Sequence, residues 1–492
     1  MGSSLLFSFV IGYFSVLLLV AWRTSRHANN DSFFIGNRNS NWMLVAFGMI
    51  GTSLSGVTFV SVPGTVGRLG DDGYNAFGYF QVVIGNWIGY LVVALVLLPL
   101  YYRLNLTSIY RYLHSRFGVV AYRTGALFFI LSRTVGATAR LYLVINILHI
   151  FLLKDLGVSF EVTTGVILLM ILLYTFEGGV KTIVYTDTLQ TTCMLLGLVV
   201  CICYILQHLG LSAGGALQAL EAKGLARVFH TDVNSKSFFI KQIVGGMFIS
   251  IAMTGLDQEM MQKNISVRNV KDSRKNMLVF SFIFALVSFL FLFLGGLLYL
   301  FAQSRGVKVI GDGLFPTLAL HYLPKAVSII FIIALISALF PSADGALTAL
   351  TSSFCIDMLD LRNREGMSER QKRRTRLTVH VCFAVIFLLC ILVFKRVNNP
   401  STIGVILELA GYTYGPLLGL FAFGIFTRRV IPNNWTVTAV CLLAPAICWV
   451  VSRQAAVWLG GYQIGIELLL LNGLLTFAGL AALSRTGAGG QV

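Results

Sequence analysis

Charged residues are scarce in this chain of 492 residues, because only 12% are Asp, Glu, Lys or Arg. Soluble globular domains carry roughly a quarter of such residues. Hydrophobic residues reach 57%, and no polar stretch is long enough to form an independent soluble domain. The composition therefore excludes an ordinary soluble protein and predicts an all-α polytopic membrane protein.

Several chemical signatures are missing as well. The eight cysteines form no CxxC pair and have no histidine cluster nearby, which predicts core residues rather than disulfides or metal ligands. No nucleophile–base pair is apparent, so we do not predict an enzyme. The first apolar run, 5–22, has no basic segment before it and no cleavage site, which predicts a retained helix. The net charge of +17 is interpreted as cationic anchoring at a membrane rather than nucleic-acid binding.

Apolar windows of about 18 to 30 residues recur along the chain and predict about thirteen transmembrane spans. Their expected bounds are 3–22, 42–67, 74–102, 121–153, 160–177, 182–208, 238–256, 277–303, 324–359, 376–396, 401–427, 433–452 and 463–484. Loops after odd-numbered spans carry most of the basic residues, including Lys263, Arg268 and the run 362–376. The positive-inside rule then predicts an external N-terminus and a cytoplasmic C-terminus in a bacterial inner membrane.

The expected organisation contains two runs of five spans. Because five is odd, the second run enters the membrane in the opposite sense, as an inverted repeat requires. The predicted segments are an extra helix with a basic cytoplasmic loop (1–41), a first repeat (42–208), an extracellular loop (209–237), a second repeat (238–427), and two C-terminal helices with a short tail (428–492).

Residues 49–63, MIGTSLSGVTFVSVP, lie inside an apolar span yet are crowded with Gly, Ser, Thr and Pro. Irregular backbone persists at membrane depth only where it is buried in protein or lines a wet cavity. The stretch therefore predicts a broken helix that holds a ligand. Residues 243–260, which open the second run, carry similar loosening residues and end near the polar sequence GLDQ.

Two aspartates, Asp187 and Asp344, fall inside predicted spans, where each costs about 2.5 kcal/mol or more at a helix centre. Carboxylates, hydroxyls and free carbonyls are the ligands that a hard cation such as Na⁺ prefers. The alternatives are a helix N-cap or a pair with a neighbouring arginine. Pro341 removes a backbone donor and would free a carbonyl one turn earlier, near Ser337 and Ala338.

Two arginines, Arg133 and Arg140, are seven residues apart and so share one face of a predicted helix. This cationic face could receive an anionic substrate. It could equally pair with the intramembrane aspartates or extend toward the membrane surface.

Three motifs together resemble the sodium/solute symporter family, which includes sodium–galactose, sodium–proline and sodium–sialic acid transporters. They are GGVKTIVYTDTLQ (178–190), GLDQEMMQK (255–263) and ALFPSADGALTALTSSFCID (338–357), and the resemblance spans about residues 1–430. It implies a five-plus-five inverted-repeat core of the LeuT type, with one extra N-terminal and two extra C-terminal helices. It also implies Na⁺-coupled secondary active symport of a small organic solute by alternating access.

The resemblance further implies two ion sites. The principal sodium site would use backbone carbonyls at Gly51 and Leu54 with Ala338, position 341 and Ser342, and Asp187 matches an aspartate near the sodium ions. Family members usually have a hydroxyl at position 341, where this chain has Pro341. A second sodium would involve Asp187 and Asp344. Members that bind two ions have hydroxyls at the two positions that are Asp344 and Gly345 in this chain.

The substrate residues implied by the resemblance are those of the sialic-acid-type members. They are the hydroxyls of Ser53, Ser55 and Thr58, together with Gln81, and Arg133 as the carboxylate partner. Asp257 matches a position that touches sugar in galactose-type members. An anionic sugar such as sialic acid, or another small carboxylate, is favoured over a neutral sugar or an amino acid.

A transport-silent sensor or channel is the other class considered. The absence of a signalling module argues against a sensor, and the broken helix with its aspartates argues against an open pore. The expected partners are the small-molecule substrate, Na⁺ and membrane lipid, with no nucleic acid. The oligomeric state is not indicated.

Overall fold

The computed structural model describes residues 3–25, 30–67, 75–176, 179–397 and 402–485. Residue 178 of the first motif, residues 74, 177 and 401 at span ends, and the tail after Arg485 lie outside these ranges. The helices within them are α1 (Ser3–Ser25), α2 (Asn30–Ile35), α3 (Trp42–Ser53), α4 (Gly56–Thr65), α5 (Tyr79–Val92), α6 (Leu98–Arg103), α7 (Arg111–Phe117), α8 (Val119–Leu148), α9 (Phe160–Thr175), α10 (Gly179–Leu209), α11 (Ala213–Ala222), α12 (Phe239–Ser250), α13 (Gln258–Ile265), α14 (Val270–Ser304), α15 (Leu314–His321), α16 (Lys325–Ser353), α17 (Glu369–Val397), α18 (Thr402–Thr413), α19 (Gly415–Phe426), α20 (Trp435–Trp458) and α21 (Leu468–Leu483).

Four π-helical turns continue these helices. They are Val93–Leu97 between α5 and α6, His149–Leu153 after α8, Ile251–Gly255 after α12 and Phe354–Met358 after α16. In the described part of the chain, β structure is limited to two isolated bridges. The predicted all-α class is thereby confirmed.

Eight helical segments in the described ranges are long and apolar enough to cross a membrane, and three bent pairs raise this number to eleven. The pairs are α3 with α4, bent by 56°, α12 with α13, bent by 63°, and α18 with α19, bent by 44°. Helices α9 and α21 are shorter and apolar. Each predicted span coincides with one of these elements, and the number that actually crosses a bilayer stays a prediction.

The two most strongly bent pairs open the two predicted runs of five spans. Helix α10 packs against both α3 and α16, and α5 packs against α12, so the breaks lie inside the bundle. Large apolar side chains such as Leu19, Phe282 and Val457 are exposed at the periphery. Most of the polar residues discussed below are buried, whereas Ser53 and Arg140 are partly exposed.

Local chemistry explains where the pieces begin. Asn41 caps α3, because its Oδ1 accepts a hydrogen bond from the Met43 N–H at 2.9 Å. Asp257 caps α13 in the same way, accepting from the N–H of Glu259 at 2.9 Å and of Met260 at 3.3 Å. The bend between α3 and α4 confirms the predicted break within 42–67, and a second break lies within the GLDQ sequence.

Some expectations were wrong in detail. The span predicted to end at 256 continues past its break through α13 to Ile265, so the polar GLDQ marks a break rather than an end. All eight cysteines are free, but Cys203 and Cys382 are exposed rather than buried in the core. Both lie on helices whose outward faces are apolar, where a small side chain needs no packing partner.

Candidate functional site

The break between α3 and α4 takes the backbone out of helical geometry. Leu54 has φ −91° and ψ 69°, and Ser55 is extended, with φ −69° and ψ 178°. The Ser55 side chain makes no capping hydrogen bond to α4. Its hydroxyl therefore remains available, together with those of Ser53 and Thr58, to a ligand in the adjoining cavity.

Gly51 lies where α3, α10 and α16 meet. A Cβ at this position would collide with Thr191 Oγ1 on α10 and would lie 3.3 Å from Pro341 Cγ on α16. The structure thus brings together Gly51 and Pro341, two of the predicted sodium-site positions. Ala338 and Ser342 are buried on the same helix, where Ser342 Oγ donates to the Leu339 carbonyl at 3.1 Å.

Pro341 lies inside α16 and cannot donate to the carbonyl four residues earlier. We expect Pro341→Ser to lower the Na⁺ concentration for half-maximal uptake about tenfold, since a hydroxyl ligand is worth roughly 1 to 2 kcal/mol. Uptake into proteoliposomes over a Na⁺ series measures this. Pro445→Ser, the same change within α20, is the control. An unchanged Na⁺ requirement in Pro341→Ser would place position 341 outside the ion site.

Asp187 is fully buried on α10 and uses only one of its oxygens. Oδ2 accepts from Lys263 Nζ at 2.6 Å and from Thr52 Oγ1 at 3.3 Å. Oδ1 has no hydrogen-bond partner among the described residues, and neither does Thr191 Oγ1, one turn further along the helix. Thr191 Oγ1 faces α3 at Gly51, and the Asp187 side chain packs against α3 at Gly48. An unpaired carboxylate oxygen and an unpaired hydroxyl are ligands that suit a hard cation such as Na⁺.

Lys263 was expected in a cytoplasmic basic loop, and this was wrong. It lies on α13 with 3% of its surface exposed, because the helix resumes after the break instead of leaving the membrane domain. Besides Asp187, its Nζ donates to Thr52 Oγ1 at 2.5 Å and lies 3.9 Å from Glu259 Oε1. Lys263 and Glu259 were both missed as site residues.

Asp344 is also fully buried and is engaged on both oxygens. Tyr174 donates to Oδ2 at 2.8 Å, and the Gly345 N–H lies 2.5 Å from Oδ1. A Cβ at Gly345 would collide with Glu259 Oε1. The glycine therefore leaves room for the Glu259 carboxylate beside α16, where the resemblance implies a hydroxyl in members with two ions.

Arg133 forms ion pairs with two buried acids. Its Nη2 bonds Glu259 Oε2, and its Nη1 lies 3.8 Å from Asp257 Oδ2. Tyr414 donates to the same Asp257 oxygen at 2.6 Å, while Asp257 Oδ1 caps α13. Arg133 therefore pairs with acids, but these are Glu259 and Asp257 and not the predicted intramembrane aspartates Asp187 and Asp344. This pairing leaves Asp257 little capacity for a sugar.

A cavity lies beside the break between α3 and α4. One of the two arginines that line it, Arg140, forms no salt bridge within the described residues. The walls of the cavity come from the bent pairs α3 with α4 and α12 with α13, and from α5, α8, α14 and α18. The polar lining residues are Thr52, Ser53, Ser55, Thr58, Tyr79, Asn86, Tyr90, Arg133, Arg140, Ser250 and Thr254. In the described ranges, no salt bridge or hydrogen bond engages the Arg140 guanidinium, although Arg133 and Glu259 lie close enough to interact electrostatically.

Gln81 does not reach this cavity. Its Nε2 donates to the carbonyls of Gly78 at 3.0 Å and Ser237 at 3.2 Å, and its Oε1 accepts from the His230 N–H at 3.2 Å. The side chain is fully buried. It ties α5 to the loop before α12, whereas Asn86, about one and a half turns further along α5, lines the cavity.

The formal charges around the site do not cancel. They come from four carboxylates (Asp187, Asp257, Glu259 and Asp344) and three basic side chains (Arg133, Arg140 and Lys263). With all seven groups ionised, the site carries one negative charge in excess. Such an excess favours binding of a monovalent cation.

The sequence profile described as Sodium:solute symporter family matches residues 33–433. The chain is 24% identical over 463 residues to the sodium/sialic acid symporter NanT of Aliivibrio fischeri, covering 91% of this chain and 87% of that protein. It is 22% identical over 448 residues to the sodium/sialic acid symporter SiaT of Proteus mirabilis, covering 86% and 85%.

A solved structure of a Na⁺-coupled sialic acid symporter, in a substrate-bound outward-open state, superposes with a TM-score of 0.80 at 19% identity. The match covers 98% of this chain and 99% of that one. At this identity the likeness shows the fold, which is the five-plus-five core of the LeuT type. The matched profile covers more than three quarters of the chain and shows that this chain belongs to the sodium:solute symporter family, whose members are Na⁺-coupled secondary transporters and not enzymes.

Proposed function

We propose that this transporter carries a small organic anion, specifically an acidic sugar of the sialic acid type, together with Na⁺. The observation that carries the proposal is Arg140, a guanidinium that lines the cavity and forms no salt bridge or hydrogen bond within the described residues. A partly buried guanidinium that forms no salt bridge has lost part of its hydration, and an anionic ligand can replace what it has lost. Arg140, rather than Arg133, is therefore the carboxylate partner.

The remaining lining of the cavity suits a polyhydroxylated molecule. Ser53, Ser55 and Thr58 offer hydroxyls from the broken helix, and Asn86 offers an amide from the facing α5. A few converging polar groups within an otherwise apolar wall fix the orientation of a small ligand. The two relatives named for sialic acid support the same substrate class.

The sodium site proposed here joins α3, α10 and α16. Backbone carbonyls at Gly51 and Leu54 and the residues around Pro341 supply one side, and Asp187 Oδ1 with Thr191 Oγ1 supplies the other. Na⁺ at this point would hold the unwound Leu54 and Ser55 in place. Because those residues adjoin the cavity, bound Na⁺ would raise the affinity for substrate, and substrate would raise the affinity for Na⁺ equally.

The proposed direction is import across a bacterial plasma membrane, with the N-terminus outside and the C-terminus in the cytoplasm. The basic loop residues at one end of the alternate spans support this orientation. Alternating access would move the first repeat (42–208) against the second (238–427) around the central site.

A ligand screen on the purified protein tests the proposed substrate class. Acidic sugars, monocarboxylates, neutral sugars and amino acids are compared by thermal shift, in Na⁺ and in K⁺ buffers. A ligand that binds the folded state stabilises it by about 2.7 kcal/mol at a concentration 100 times its Kd. We expect this stabilisation from an acidic sugar, and only in Na⁺.

Radiolabelled uptake into proteoliposomes then tests transport itself. An inward Na⁺ gradient should drive accumulation of the stabilising acidic sugar, and an equal K⁺ gradient should not. Equal stabilisation by the neutral sugar of the same ring size would contradict the anion proposal. In that case the Ser and Thr hydroxyls, not Arg140, would determine the substrate.

A further inference from the structure

The ammonium group of Lys263 occupies a position that an alkali cation could take. Its ligands are oxygens, Asp187 Oδ2 at 2.6 Å and Thr52 Oγ1 at 2.5 Å, with Glu259 Oε1 at 3.9 Å. All of these residues are almost completely buried. A carboxylate, a hydroxyl and a second carboxylate form the donor set of a hard monovalent cation.

We propose that Lys263 is a tethered cation that permanently fills a second cation position beside Asp187, so that a single Na⁺ is bound and carried. The inference rests on the proposed sodium site, because Asp187 divides its oxygens between the two positions. Oδ2 holds the lysine, and Oδ1 is left without a partner for the mobile ion. The lysine supplies the charge of an ion but cannot leave with the substrate.

The surrounding residues complete this position. Gly345 leaves the space into which Glu259 extends, and that carboxylate lies one helical turn from Lys263 on α13. Both oxygens of Asp344 already accept hydrogen bonds, one from the Tyr174 hydroxyl and one from the Gly345 N–H, so Asp344 is not a ligand of the Lys263 ammonium. Asp344 and Gly345 stand where the resemblance implies hydroxyl ligands for a second sodium. In this chain they leave room for the Glu259 carboxylate and the Lys263 ammonium instead of a second exchangeable ion.

The tether also has an electrostatic consequence for the mobile ion. A fixed positive charge next to Asp187 repels a Na⁺ held at Oδ1, so removal of the ammonium should strengthen Na⁺ binding. Lys263→Met keeps most of the length and apolar stem of the side chain and removes the charge. It vacates the second position while Asp187, Thr52 and Glu259 remain.

Equilibrium binding of radiolabelled Na⁺ to the purified protein, without substrate, tests the inference. We expect one bound ion per wild-type chain and two per Lys263→Met chain, with the Hill coefficient rising from about one toward two. Lys263→Arg keeps the charge and should still bind one ion. Two ions bound to the wild type would overturn the tethered cation, and so would one ion bound to Lys263→Met.

If Lys263→Met fails to fold, Lys263→Gln, which also removes the charge, takes its place in the comparison, and two ions bound to the wild type would still overturn the inference. The measurement also separates this inference from the proposed substrate, because no substrate is present in the assay. If no acidic solute is transported but the wild type binds one Na⁺ and Lys263→Met binds two, the tethered cation stands and the substrate proposal falls. If an acidic solute is transported but the wild type binds two Na⁺, or Lys263→Met binds only one, the substrate class is retained and the tethered cation is rejected.

Discussion

Arg140→Gln is expected to weaken binding of the acidic substrate about 100-fold, because truncating one partner of a buried charged contact costs roughly 2 to 5 kcal/mol. The substitution removes a cation that lines the cavity and has no other salt bridge in the described residues. Na⁺ binding in the absence of substrate should change little, since Arg140 is not among the residues that surround Asp187. Calorimetric titration of the purified protein measures both affinities.

Two further variants sharpen this experiment. Arg140→Lys keeps the charge but loses the planar fork that binds a carboxylate through two parallel hydrogen bonds, so an intermediate loss of about tenfold is expected. Arg453→Gln makes the same change as Arg140→Gln at an exposed position on α20, where the guanidinium lies over Trp449, and should leave affinity unaltered. If Arg140→Gln retains full affinity, the carboxylate partner lies elsewhere.

The broken helix could be predicted because its signal is local. A cluster of Gly, Ser, Thr and Pro inside an apolar span has few structural explanations in hydrocarbon. The same reasoning identified Asp187 and Asp344, since a charge within a span is costly wherever it points. These residues proved to be fully buried, and Gly51 proved to contact Pro341 across two helices.

Lys263 and Glu259 could not be placed by the same reasoning. The segment QEMMQKN, with its acid, amides and lysine, lowers the local hydropathy so far that it resembles a loop. In the folded chain, its charges are neutralised by Asp187 and Arg133, which lie 76 and 126 residues away in sequence. Mutual neutralisation over such separations leaves no trace in a sequence window.

Arg133 and Arg140 show a related limit. Their spacing correctly predicts one helix face, and both arginines line the cavity, but the spacing does not say which of them is paired with an acid. That distinction depends on α13, whose Glu259 reaches Arg133 and leaves Arg140 without a salt bridge in the described ranges. Gln81 was assigned to the substrate through the resemblance, whereas its amide joins α5 to backbone groups outside the cavity.

Asp187→Asn is expected to abolish Na⁺-stimulated uptake and also to destabilise the protein by about 3 kcal/mol or more. Two different losses contribute. The neutral amide no longer offers a charged Oδ1 to Na⁺, and the buried Lys263 ammonium loses its closest counter-ion. Na⁺-dependent uptake and thermal unfolding in detergent measure the two losses separately.

The double variant Asp187→Asn/Lys263→Met distinguishes them. Removing both members of a buried ion pair is often nearly neutral, so most of the lost stability should return. Na⁺-stimulated uptake should stay absent, because the oxygen proposed as the ligand of the mobile ion is still neutral. Glu161→Gln, which breaks an exposed pair with Lys395, is the control and should alter neither property. Recovery of Na⁺-driven uptake in the double variant would show that Asp187 serves only to balance the lysine, and the ion site would then have to be built without it.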